Sequence, residues 1–272
     1  MPGRAATVET APPATHAVTA CARSPADGPQ DYAVRDRTAD VARWRTMPLL
    51  FKAIANLLFW MSFFAAVLFV PAGTGNWWRG WVFLGVLGAG MVYAVASLLP
   101  VHRDLVEERL KLPIQREQPL TDKIVVTLFY AAFYGLVAFI PLDVFRFDLL
   151  GAPGPLVSSL GLALFVAGWV IAYLALRENA FAATAVKHLA RQTVVDTGVY
   201  GVVRHPMYAG GIPMLIGMPL WLGSYASALL ALVPIATVVV RALLEERFLR
   251  RELPGYVAYA ERVRYRLVPF LW

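Results

Sequence analysis

The chain has 272 residues, 58% of them hydrophobic and only 16% charged, with a mean hydropathy of +0.57, a balance that excludes an ordinary soluble domain of this length. The net charge of +7 would suggest a nucleic-acid partner in a soluble protein, but here it follows the positive-inside rule of membrane chains, and no nucleic acid is expected. One cysteine, Cys21, excludes an internal disulfide framework and a multi-cysteine zinc site, and His16, His102, His188 and His205 share no metal-ligand spacing, so no metal is expected.

Residues 1–46 are rich in Ala, Pro, Thr and charge and show no apolar periodicity. They read as a disordered arm, since they cannot bury enough surface to offset chain entropy. Residues 47–272 then form the membrane domain. Apolar runs at Pro48–Val70, Trp77–Leu99, Ile124–Phe145 and Pro155–Leu176 each reach the ~20 residues that cross a ~30 Å hydrocarbon core. The first is too long for a signal-peptide core and reads as a retained anchor. Trp77, Trp78 and Trp81, around the first turn, fit an interfacial aromatic belt. The glycines of "GVLGAG" in the second run sit mid-membrane with no preceding strand, so they read as helix-packing residues rather than a nucleotide loop. The charged connection after it begins with His102–Leu110, which suits an amphipathic helix on the membrane face.

A fifth block, Pro206–Leu244, is nearly twice the length of a span and is broken by "LGSYAS" at Leu222–Ser227. It reads as two helices in a hairpin. The fold class is therefore all-α, a polytopic membrane protein of about six helices, the last two paired. Arg and Lys gather before the first span, between the second and third, between the fourth and fifth, and after the sixth. The opposite loops carry only Arg79 and Arg146. Both termini are expected in the cytoplasm.

"VVRHPMYAGG", Val202–Gly211, places Arg204 and His205 directly before the hairpin. Pro206 suits the first turn of a helix, whose free N–H groups and positive dipole end favour an anionic ligand group. The hairpin returns Arg241, Glu245 and Glu246 beside Arg204, His205 and Tyr208. Pro213, Pro219, Gly210, Gly211 and Gly217 interrupt the fifth span, and broken membrane helices tend to line sites. Taken singly, Arg204 could be an interfacial anchor, His205 a cap, Gly210 a packing residue, and Arg241–Glu245 an ordinary helical salt bridge. Together they outline a site for a ligand that carries both charges.

"GVYGVVRHPMYAGG", the hairpin and "RALLEERFLRRELPGYVAYAERVRYRLVPFLW" resemble the isoprenylcysteine carboxyl methyltransferase family, whose wider relatives include phospholipid N-methyltransferases. Arg204, His205, Pro206, Tyr208 and Gly210 match its first motif, Glu245 and Glu246 its second, and Tyr256, Tyr259 and Pro269 its tail. "RDLVEERLK" followed by "TDK" looks like a loop of bacterial members. The resemblance covers residues 197–272. It implies an S-adenosyl-L-methionine (SAM) site on the cytoplasmic side, in a protein of a bacterial inner membrane. His205, Pro206, Tyr208, Gly210, Glu245, Glu246 and Tyr200 are the cofactor-binding candidates. It further implies methyl transfer to a lipophilic or lipid-anchored acceptor among membrane lipids. Arg241 or Arg204 would hold the substrate carboxylate, with Arg241 preferred as the less exposed. Carboxyl O-methylation leads. Phospholipid N-methylation is the rival chemistry, and a transporter or scaffold the rival class. Oligomeric state is not encoded.

Overall fold

The computed structural model describes residues 30–115, 118–181 and 192–272, with side chains from residue 48 onward. Of the expected arm at 1–46, residues 1–29 lie outside the described residues, and the backbone is helical from Gln30. Chain contacts divide the protein into two units at Met47/Pro48. The second unit holds the end of α1 (Gln30–Ala72), then α2 (Trp78–Leu98), α3 (Arg103–Arg109), α4 (Leu120–Leu142), α5 (Pro155–Glu178), α6 (Pro206–Leu222), α7 (Tyr225–Leu230), α8 (Leu232–Glu252) and α9 (Tyr256–Arg262). No strand occurs among the described residues.

Five stretches are long and apolar enough to cross a membrane: Pro48–Ala72, Trp78–Leu98, Leu120–Phe147, Pro155–Glu178 and Tyr225–Glu252. The last is α7 and α8 end to end, offset at Ala231. The chain is thus an integral membrane protein of the all-α class. Helix α6, the remaining expected span, has 17 residues, about 26 Å at 1.5 Å per residue. It gains its place through its partner rather than its length.

That partner is α5, and the seam between them is made of glycine. Gly168 meets Gly210 and Gly161 meets Gly217, each pair two helical turns from the other. The pairing runs antiparallel. A methyl group added at Gly210 would overlap the Gly168 carbonyl and come within 2.9 Å of the Ala172 nitrogen. One at Gly161 would stand 2.8 Å from the Trp221 nitrogen. In lipid no hydrophobic force draws apolar helices together, so such close backbone packing is what joins them. Similarly Gly90 of α2 lies under the Trp169 ring.

The hairpin turn is tighter than the six residues suggested by sequence. Gly223 takes φ +108, which favours glycine, and the Ser224 hydroxyl caps α7 by accepting from Ser227 N at 2.9 Å. Ser224 also donates to the buried Asp143 carboxylate at 2.6 Å, in a π-helical turn, Asp143–Phe147, that ends α4. This fixes the turn to α4 at one end of the bundle. Leu68, Phe83, Leu136, Ile140 and Leu222 fill the core between. Trp78 and Trp81 are exposed as a belt requires, but Trp77 is buried. It packs edge-on against Phe145 at 5.2 Å between ring centroids, because the turn folds it inward.

Candidate active site

At the other end of the bundle, the start of α6 and the end of α8 face each other, and the chain after α8 closes beneath them. Leu253, Tyr256, Tyr259, Ala260 and Val263 cluster against Val194 and Leu249. Two backbone bonds then tie the tail to the segment before α6: Arg204 N–H donates to the Tyr265 carbonyl at 2.9 Å and His205 N–H to that of Arg266 at 3.0 Å. Tyr259 adds a bond from its hydroxyl to the Tyr200 carbonyl at 2.8 Å.

Glu246 organises this closure. It is 3% exposed, and three arginines reach it. Arg204 Nη2 lies 3.2 Å from both carboxylate oxygens, Arg250 Nη2 is at 2.8 Å and Arg266 Nε at 2.8 Å. Arg204 Nη1 donates to the Val263 and Arg264 carbonyls at 2.7 and 2.8 Å. Arg204 and Glu246 were candidates for carboxylate holding and cofactor binding. The structure commits both to holding the tail. Arg204 is also the more deeply buried arginine, its side chain 4% exposed against 14% for Arg241, which reverses the expectation.

Above this closure opens a cavity of about 850 Å³, its solvent mouth included. Tyr200, His205, Pro206, Tyr208, Arg241 and Glu245 border it, and so do Arg204, Tyr256 and Tyr259. Glu246 does not, nor does Gly210, which is spent on the α5 seam. Pro206 occupies the first turn of α6, so the N–H groups of Met207 and Tyr208 have no intrahelical acceptor and lie at the cavity wall. Tyr208 donates to Glu245 at 2.5 Å. His205 Nε2 stands 3.9 Å from Glu246, beyond hydrogen-bond reach, and it and the Tyr256 hydroxyl are shielded without a partner. Two orphaned polar groups at one cavity call for a polar ligand.

Burial pushes the Tyr200 phenol up to about 12, with a hydrogen bond from Asn179 acting against the shift and the Glu245 charge adding to it. Tyr256 and Tyr259 are raised as well, first by burial; the Glu246 and Glu245 charges add to it at Tyr256 and Tyr200 does at Tyr259. These phenols stay neutral and serve as donors and ring surfaces.

Sequence reasoning missed Asp122 at the start of α4. It is 2% exposed, receives Arg241 Nε at 3.1 Å and is hydrogen-bonded by Gln118. Arg241 lies over the Tyr208 ring, 5.9 Å from its centroid. So the cavity arginine is oriented by a residue more than a hundred positions upstream, and the signal available in the sequence was its place in "TDK", just before the third apolar run. A second, wholly apolar cavity of about 330 Å³ lies deeper in the bundle between Phe64, Phe133, Phe165 and Met214.

Fold and site together define a helical membrane protein with a charged cavity at the mouth of its terminal helix hairpin. Residues 156–254, which carry α5 to α8 and most of the cavity wall, match the family model described as phospholipid methyltransferase, and this supports the resemblance to membrane methyltransferases. Among solved structures the chain is similar to a eukaryotic intramembrane Ras methyltransferase, isoprenylcysteine carboxyl methyltransferase, at 17% identity and a TM-score of 0.48, over 89% of this chain and 90% of that one. A comparison with curated proteins gave no match.

Proposed function

We propose that this protein is a SAM-dependent methyltransferase acting on a hydrophobic or lipid-anchored acceptor, with carboxyl O-methylation as its leading chemistry. The observation that carries this reading is the cavity itself. It joins the open N-terminus of α6, the orphaned His205 and Tyr256 groups, and the Glu245 carboxylate, all but Tyr256 inside a segment matched by a methyltransferase family. The polarity suits an amino acid with an added cation. His205 and the first-turn N–H groups of α6 would hold the cofactor carboxylate. Glu245, oriented by Tyr208, would hold the ammonium. Tyr200, Tyr256 and Tyr259 would cover the adenine. When bound, SAM supplies a methyl group on a positively charged sulfur and leaves as a neutral thioether.

The residues need perform little proton chemistry for a carboxylate acceptor, which is already ionised. Their work is to align the acceptor and exclude water, where positioning can contribute about 7–11 kcal/mol. With Arg204 committed to the tail, Arg241 holds the acceptor carboxylate, and Asp122 fixes its direction. The apolar cavity beneath suits the hydrocarbon chain.

The family match favours a second reading, N-methylation of a phospholipid amine. That acceptor must lose a proton, and His205, whose Nε2 has no hydrogen-bond partner, would be the group to take it. One experiment separates these readings. The protein in lipid is given methyl-labelled SAM with a prenylcysteine analogue or phosphatidylethanolamine, and the product is treated with alkali. Volatile labelled methanol establishes a methyl ester. Alkali-stable label on the lipid establishes N-methylation. No labelled product from either acceptor would overturn both.

A further inference from the structure

Arg109, the last residue of α3, plays no part in the site so far. It reaches Met207 on the first turn of α6, and its one hydrogen bond among the described residues is from Nη2 to the Met207 thioether. Sulfur is a weak acceptor. Its Nε is shielded from solvent and has no partner, and no carboxylate among the described residues forms an ion pair with it. The phenols of Tyr200, Tyr208 and Tyr130 and the charge of Arg241 are near enough to act on it electrostatically.

A guanidinium in this setting is costly to hold. Burial first, and then the Arg241 charge, lower its pKa. The residue as a whole is half-buried, but its Nε is cut off from water with no acceptor, and a shielded, unsatisfied guanidinium nitrogen is costly. The nearby acids are engaged elsewhere. Asp122 receives Arg241 and Gln118, and Glu245 receives Tyr208. Arg109 Nη2 on Met207 and Arg241 over the Tyr208 ring thus set two guanidinium groups against consecutive residues of the first turn of α6.

We propose that Arg109, together with Arg241, binds the anionic group of the methyl acceptor, a carboxylate or a lipid phosphate. This rests on the methyltransferase reading only in naming the anion's owner. A planar guanidinium suits either oxyanion through paired hydrogen bonds. The two sources differ in one consequence. Esterification removes a carboxylate's charge, so the clamp would release its product, whereas a phosphate keeps its charge through N-methylation.

The test is binding, measured on the full chain in detergent without turnover. The probes are N-acetyl-S-farnesylcysteine against its methyl ester, and phosphatidylethanolamine against a diacylglycerol of the same chains. The wild type should bind at least one anionic probe about tenfold tighter than its neutral counterpart, and Arg109→Gln should reduce that preference to within about threefold. Arg109→Lys should keep part of it. SAM affinity should stay unchanged in both variants, which also reports that they fold. Preference for the acid alone assigns a carboxylate, and preference for the phospholipid alone a phosphate. On the wild-type protein, the preferred anionic probe should protect Arg109 from phenylglyoxal while its neutral counterpart does not. The proposal is overturned by a wild type without preference for either anion, by a preference that survives Arg109→Gln, or by equal loss of SAM affinity. Failure of methyl transfer with the anion preference intact would overturn the enzymatic reading and leave Arg109 as an anion site.

Discussion

Two adjacent glutamates on one helix carry opposite assignments. Glu245 faces the cavity with one phenol as partner, while Glu246 is enclosed by three arginines. Glu245→Gln should weaken SAM binding by tenfold or more, since a charge-assisted contact is worth about 1.5–3 kcal/mol, with little change in thermal midpoint. His205→Ala should weaken it likewise. Glu246→Gln should instead destabilise the fold by about 3–5 kcal/mol, because it strips the counter-charge from buried arginines; thermal denaturation in detergent reads the difference. Equal loss of SAM affinity in the two glutamate variants without loss of stability would contradict the division. Tyr200 gives a pH prediction. Its phenol is held near 12 when folded against about 10 unfolded. The unfolded chain therefore loses its proton first, and the contribution is complete below pH 10 and lost as pH climbs toward 12. Tyr200→Phe should remove that part of the alkaline fall, up to about 3 kcal/mol.

At the scale of elements, the glycine seam decides where α6 stands. Gly168→Val would drive a branched side chain into the Gly210 carbonyl and the Met214 backbone, and should destabilise by about 1–3 kcal/mol. Gly211→Ala, at a position with open space around it, should be near neutral in the same melting experiment. The hairpin, its proline at the first turn and the cluster before it were readable because they depend on local pattern. The seam was half readable. Gly210 and Gly217 were seen as places of close approach, but their partners Gly168 and Gly161 lie in another span whose composition does not set them apart. Asp122 and Arg109 escaped for the same reason. Their meaning comes from Arg241 and Met207, each roughly a hundred residues away, and no periodicity reports such a pairing. The tie from Arg204 to the tail was not legible because, beside Glu246, its partners are backbone carbonyls of the tail, which carry no sequence signature.

For the whole molecule, the distribution of Arg and Lys predicts that the cavity end faces the cytoplasm. A Cys21→Ser background with Leu150→Cys, exposed at the opposite end, should react with an impermeant maleimide from outside intact cells. Val257→Cys, exposed in α9, should react only after the membrane is opened. The reverse pattern would invert the topology and with it the side from which a cofactor arrives.

The strap formed by Tyr265 and Arg266 against Arg204 and His205 also sets an order of events during biogenesis. These residues are made after every membrane helix. A nascent chain that has reached Glu252 therefore holds all its spans and both glutamates, yet has no floor under His205 and lacks Arg266 beside Glu246. The binding competence proposed above would therefore be acquired late, once the strap has closed.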